Sequence, residues 1–177
     1  MKNSRPTFQL SVLVALSLAA VAAQAQTAAP AAAATPAVRT ERNMSLELAN
    51  QIAAATVAAC QANGYAVAAA VVDRAGSLRA LQRADNAGPH TLSSSQAKAY
   101  TSASAKNTTL AMMEGSQKNP AGANLVYMPG FLLLGGGVPI RVGNEVIGAV
   151  GVGGAPGGHL DEQCAMAGID KVKDLLK

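Results

Sequence analysis

The amino-acid sequence predicts an α+β fold: a mainly antiparallel five-stranded sheet with helices on both faces, in the order α-β-β-α-β-β-β-α. Three observations predict it. Residues 131–155, FLLLGGGVPIRVGNEVIGAVGVGGA, hold three apolar runs separated by glycine clusters, and the last two runs are joined by Gly143-Asn144. A two-residue Gly-Asn connection supplies the positive φ of a tight hairpin, so Val138 to Val142 pairs with Glu145 to Val152, and Phe131 to Leu134 adds a third short strand. A second hairpin is signalled by Val67 to Val72 and Ser77 to Arg83 on either side of the turn Asp73 to Gly76. Helical spacing frames both: Leu48, Ile52, Ala55 and Ala59 before the strands, and Ala165, Ile169, Val172 and Leu176 after them.

Taken in order, residues 1–25 read as a secretory signal peptide. Lys2 and Arg5 precede an apolar run from Leu10 to Ala23, and Ala23-Gln24-Ala25 is a small-residue cleavage site. The run falls short of the roughly 20 residues a spanning helix needs, so no membrane span is expected after cleavage. The protein is therefore expected to be secreted or periplasmic. Residues 26–42, rich in Ala, Pro and Thr, read as a disordered linker with too few large apolar groups to offset its ordering entropy. The folded domain is expected over 43–177. Asn43 or Ser45 can cap its first helix, and Gly64 marks the stop.

The stretch Asp85 to His90 is a loop, after which Thr91 can cap a helix from Leu92 to about Lys106. Leu92, Gln96, Tyr100 (or Ala99) and Ala103 make a thin apolar stripe on it among serines and threonines. Such a helix buries little, so its exposed face is expected to serve a ligand or a partner. A short helix follows from Thr108 to Ser116, then a loop to Gly130, and the final helix begins near Leu160. Seven glycines between Gly135 and Gly153 leave backbone bare enough for a flat ligand or another chain to approach.

Composition narrows the function. Aromatic residues are only 3% and tryptophan is absent, so the core is built from Ala, Val, Leu and Ile. Without Lys2 and Arg5 the balance is 12 basic against 10 acidic residues, too weak and too dispersed for a nucleic-acid footprint. No CxxC, HExxH or GxSxG is present. The dinucleotide fingerprint also fails, since Pro156 stands where G-x-G-x-x-G needs its third glycine. The chain reads as a binding protein rather than a hydrolase or oxidoreductase.

Several segments together carry a family resemblance: KAYTSAS at 98–104, MPGFLLLGGGVPI at 128–140, and GNEVIGAVGVGGAPGGHLDEQCAMAGI at 143–169 with its acidic pair Asp161 and Glu162. In these and in element order the sequence resembles the GlcG/HbpS family, extracellular haem-binding proteins related to the C-terminal domain of PduO-type corrinoid adenosyltransferases. The resemblance covers nearly all of the chain from Asn43 onward. It implies α/β/α layers of profilin-like or roadblock-like type, a homo-oligomer, and a tetrapyrrole, haem above all, as cofactor. Storage, sensing or protection are the roles it implies. The alternative is an oligomeric interaction or accessory module, docking to a sensor kinase's external domain or a transport system, with no obligate cofactor. Gly153 stands where the family usually has serine, and the run Pro156 to His159 precedes the acidic pair, so the last loop departs from the family pattern.

A haem site needs an apolar slot, an axial ligand and cations for the propionates. His90, in a Gly-Pro loop before a helix N-terminus, is the first candidate for the iron, set against its reading as a plain exposed loop histidine. His159 ranks second, since an imidazole there can equally cap the last helix. Tyr100 is an alternative ligand with Tyr127, while Met112, Met113 and Met128 read as packing. Thr91, Gly136 and Gly137 complete the expected cofactor contacts, with Lys98 meeting a propionate and Lys106 and Arg83 able to do so. Cys60 and Cys164 are the only cysteines; their flanks lie roughly 100° from the apolar stripes, and the sequence leaves a bond between them open.

Overall fold

In the computed structural model, which describes residues 36–177, folding begins where the sequence places a cap: Ser45 Oγ accepts from the Leu48 amide at 3.1 Å. Glu47 in the first turn favours the same end of the helix dipole. The signal-peptide segment 1–25 lies outside the described residues, as does the linker through residue 35. Residues 36–42 are exposed and have neither helix nor strand, and residues 40–177 form one unit.

Helix α1 spans Leu46–Ala62 and ends at Asn63, with Gly64 at φ 79° turning the chain. β1 (Ala68–Asp73) and β2 (Leu78–Arg83) form the first hairpin, with a bulge where the register slips between Val71 and Val72. Asp73 accepts from the Ala75 and Ser77 amides and so fixes the turn. α2 (His90–Ala105) and α3 (Thr109–Lys118) follow, then a 3-10 helix at Pro120–Tyr127. β3 (Gly137–Val142) and β4 (Glu145–Gly153) form the second hairpin, turning at Gly143 with φ 58°. α4 (Gly158–Lys171) and a 3-10 turn at Lys173–Leu175 close the chain.

The four strands are ordered β2-β1-β4-β3, every pair antiparallel. α1 and α4 cover one face, α2 the other. β1 is buried along its whole length because it is central and covered on both sides, which is why AAAVVD carries no alternation. Ile52, Val71, Val150 and Val152 are at 0% exposure in the larger core beneath α1 and α4, each contributing about 1.5–3 kcal/mol. Ala70, Val72 and Ala149 meet Ala99 and Ala103 of α2 in a smaller one.

The expected fifth strand is corrected. Phe131 to Leu134 forms none, and the order among the described residues is α-β-β-α-α-β-β-α with two 3-10 segments. Side chains take the backbone groups a strand would have paired. The Leu132 amide donates to Thr101 Oγ1, and Thr109 Oγ1 donates to the Leu134 carbonyl while accepting from the Gly137 amide, all at 2.8 Å. Part of the expected loop 117–130 is instead helical.

Cys60 and Cys164 form a disulfide between α1 and α4, with Cα atoms 5.3 Å apart. It closes a loop of 104 residues, for which chain-entropy reasoning gives a stabilisation of about 2–5 kcal/mol. Reduction should therefore lower the denaturant midpoint strongly and steepen the slope, because the freed unfolded chain exposes more surface, checked by equilibrium unfolding with and without dithiothreitol.

Candidate functional site

α2 supplies most of the site, and its packing explains its composition. Its buried face carries Thr91, Ser95, Lys98, Ala99, Ser102 and Ala103; of the expected stripe the two alanines are in it, and Leu92, Gln96 and Tyr100 are not. The cause lies in the strands beneath. A Cβ on Gly151 would overlap the Ser95 carbonyl and the Ala99 amide, and one on Gly137 would overlap the Lys98 carbonyl. The glycines thus admit a helix of the same chain, laid almost backbone to backbone on the sheet. Small hydroxyl residues suit that contact because they satisfy themselves locally: Ser95 donates to the Leu92 carbonyl at 3.0 Å and Thr101 to that of Ala97 at 2.8 Å.

This placement sets several of the expected cofactor contacts away from the exposed face of α2. Gly136 and Gly137 are buried; at Gly136, with φ 123°, a Cβ would meet Asp161 Cβ and the Val152 carbonyl at 2.7 Å and Lys98 Nζ at 3.1 Å. Thr91 is not the cap: the helix starts two residues earlier, at His90 after Pro89, and buried Thr91 donates to the Gly88 carbonyl at 2.7 Å. Lys98 is not a surface cation. Only 2% exposed, it donates to Asp161 Oδ2 and to the Val152 carbonyl, both at 2.8 Å. Asp161 also accepts from the Ala155 amide. Burial nonetheless holds its carboxyl above the ordinary aspartate range, against the pull of Lys98. Glu162, the other half of the acidic pair, reaches the start of α3, where it accepts from the Leu110 amide at 3.4 Å, and burial pushes its carboxyl up as well.

The opposite face of α2 lines a groove. His90, Ser93, Ala97 and Tyr100 recur three to four residues apart along it, and Pro129 to Leu132 form the facing wall. The groove is two adjoining hollows of about 520 and 360 Å³ that share Ser93, Ala97 and Gly130. Tyr100 and Gly76 lie at one end, His90 at the other. Two glycines make room for the Tyr100 ring: a Cβ would come within 2.8 Å of it at Gly76 and 3.1 Å at Gly130. Phe131 meets it edge to face, with centroids 6.2 Å apart. The exposed His90 imidazole folds back over Gly88, where a Cβ would fall 2.7 Å from Cε1.

His90 and Tyr100 are thus brought to one surface, and Thr91, Lys98, Gly136 and Gly137 are not. His159 is exposed on α4, lines neither hollow, and caps nothing, since Gly157 holds the cap position without a side-chain bond. Met112 and Met113 are half-buried, whereas Met128 and Tyr127 stand out in solvent. Phe131, Gly130 and Pro129 line the groove and were not among the sequence candidates, Phe131 having been placed in a strand. The signal for the rest was present in the spacing of His90, Ser93, Ala97 and Tyr100. Among the described residues, no group of three or more His, Cys, Asp or Glu side chains could hold a metal ion. No helix among them is long and apolar enough to cross a membrane.

Comparison with known proteins matches the family model described as haem-degrading protein HbpS-like to residues 44–170. The chain belongs to the HbpS-like family. Among solved structures, a double mutant of Streptomyces reticuli HbpS is 36% identical, with a TM-score of 0.72 over 82% of this chain and 97% of that one. Klebsiella pneumoniae protein ORFY is 29% identical, with a TM-score of 0.73 over 77% of this chain and 95% of that one. The complex of PduOC with haem, 22% identical and with a TM-score of 0.65 over 72% of this chain and 94% of that one, shares the fold. No curated protein matches the chain. The HbpS-like family match takes in all of α2 and the groove wall, so the groove lies in the part of the chain that defines membership.

Proposed function

We propose that this HbpS-like protein binds haem in the groove along α2, with His90 as the iron ligand. The observation that carries the proposal is that one exposed helix face presents His90 and Tyr100 at the two ends of a single groove, in a chain whose family is described by its action on haem. The residues present fit such a group. The combined hollows fall in the range of about 300–1,000 Å³ typical of cofactor sites. Ala97, Pro129 and Phe131 offer apolar contact, and Tyr100 a flat one. Haem when bound would supply a redox-active iron centre, and the chain's part would be to hold it through the His90 imidazole and to shield the ring with Ala97, Pro129 and Phe131. The α2 N-terminus beside His90 adds a field that favours an anionic group there.

Export to an oxidising compartment, secreted or periplasmic, agrees with the Cys60–Cys164 disulfide, since such bonds persist outside the reducing cytosol. Within that setting haem storage, sensing or protection is the role. The rival, an oligomeric interaction module for a sensor or transport system, is favoured by one observation: Val126, Tyr127, Met128 and Leu134 are 45–82% exposed on one segment. Sizing the protein with and without hemin separates them, because a monomer that binds hemin stoichiometrically defeats the rival.

Hemin titration of the mature protein should give a shifted, saturable Soret band at micromolar protein. His90→Ala should abolish or strongly shift that band with the circular dichroism unchanged, whereas His159→Ala should leave it as it was. An unchanged spectrum in the His90 variant would remove His90 as the ligand and pass the role to Tyr100.

A further inference from the structure

The groove's lining holds no Lys, Arg, Asp or Glu, and Lys98, the cation nearest in sequence to its middle, is spent on Asp161. A dicarboxylate such as haem would then leave its two anionic arms to water, unless cations stand beside the groove. They do, on the neighbouring sheet edge. α2 lies over β1, β4 and β3 and leaves the corresponding face of β2 open. The register identifies which residues occupy that face. Ala70 packs against α2 and pairs with Leu81, and Ala68 pairs with Arg83, so Leu81 and Arg83 share the α2 side of the sheet. Arg79 has no partner at the bulge; counted back from Leu81 it falls on the same side, next to Leu78, whose partner Val72 packs against α2.

All three are exposed, Leu81 by 37%, and neither arginine makes an ion pair with a described residue. Asp85, two residues past Arg83, is also unpaired. The strip joins the groove through Gly76, in the turn that leads into β2, and through Gln96 on the flank of α2. Two free guanidiniums with a leucine between them, beside an uncharged groove, complement a flat apolar ligand bearing two carboxylates.

We propose that Arg79 and Arg83 receive the carboxylates of the groove's ligand, so that it lies across α2 with its anionic edge over β2. This rests on the haem reading above and adds the ligand's orientation and the residues that select for its acid groups. The face of the ring would then cover the groove beside His90, with the acid edge away from the wall formed by Pro129 to Leu132.

The test compares hemin with hemin dimethyl ester, which keeps the ring and iron but has no free carboxylates. Arg79→Gln/Arg83→Gln should weaken hemin binding by roughly tenfold and remove most of its dependence on salt, while leaving binding of the ester unchanged. Equal hemin affinity in wild type and variant, or equal losses for hemin and ester, would overturn the carboxylate assignment and leave haem binding standing. If wild type binds neither compound, the haem reading falls and this assignment with it. Because both arginines are exposed and unpaired, the variant should melt with the wild type, which circular dichroism verifies.

Discussion

Replacing Lys98 with Met should destabilise the protein by about 3–5 kcal/mol at pH 7, the range for removing one partner of a buried ion pair. The substitution leaves Asp161, 3% exposed, facing a methyl group, and the Val152 carbonyl loses its donor too. The deficit should shrink in acid, and the sign follows from Asp161. A carboxyl whose folded pKa is raised contributes stability that is fully present below the unfolded pKa and is lost as pH rises through the folded one. Without Lys98 only the Ala155 amide still opposes burial and the folded pKa rises further, so the loss extends nearer neutrality. Urea unfolding of wild type and variant at pH 7 and pH 4.5 measures it. A deficit that is small, or equal at both pH values, would show that the pair does not hold α2 to α4.

The second large effect is expected at Gly151. Its missing side chain faces main-chain atoms of Ser95 and Ala99, which no rotamer change can move, so Gly151→Ala must lift α2 off the sheet. Overpacking of a core costs about 1–3 kcal/mol where side chains can yield, and here about 3 kcal/mol or more is expected. Because the same helix carries Tyr100 and His90, hemin affinity should fall along with the melting temperature. Gly115 provides the contrast. It lies inside α3 with nothing within 4 Å of an added Cβ, so Gly115→Ala should stabilise by about 0.5–1 kcal/mol. If the Gly151 variant melts like wild type, the backbone-to-backbone contact has been misjudged.

Much of the fold was legible because periodicity and turn chemistry are local. Gly143-Asn144, the DRAG turn and the Ser45 cap each specify their geometry within a few residues. Phe131 to Leu134 misled for the opposite reason: its apolar run looks like a strand, yet Thr101 and Thr109, 22 or more residues earlier, hold its backbone. The same limit governed α2. Hydropathy pointed Leu92 and Tyr100 inward, but glycines and small side chains in the sheet bring α2 so close that mainly Ala, Ser and Thr fit beneath it, and Tyr100 turned out. His90 and Tyr100 were legible as candidates because their chemistry is intrinsic to them. Lys98 was not, since nothing in its own neighbourhood reveals a carboxylate 63 positions away.

The bond between Cys60 and Cys164 turns most of the domain into a covalent circle. Both hairpins, α2 and the exposed segment around Tyr127 lie inside that ring, while, among the described residues, 36–59, most of α1 included, and 165–177 hang from it. A single cut by an endoprotease at the projecting segment therefore opens the circle into a line without releasing a fragment. The severed ends stay tethered through the helix pair, and β1 and β4 keep their partner across the sheet. For a chain proposed to be exported, detaching a piece of the ring takes two cuts, or one cut and a reductant.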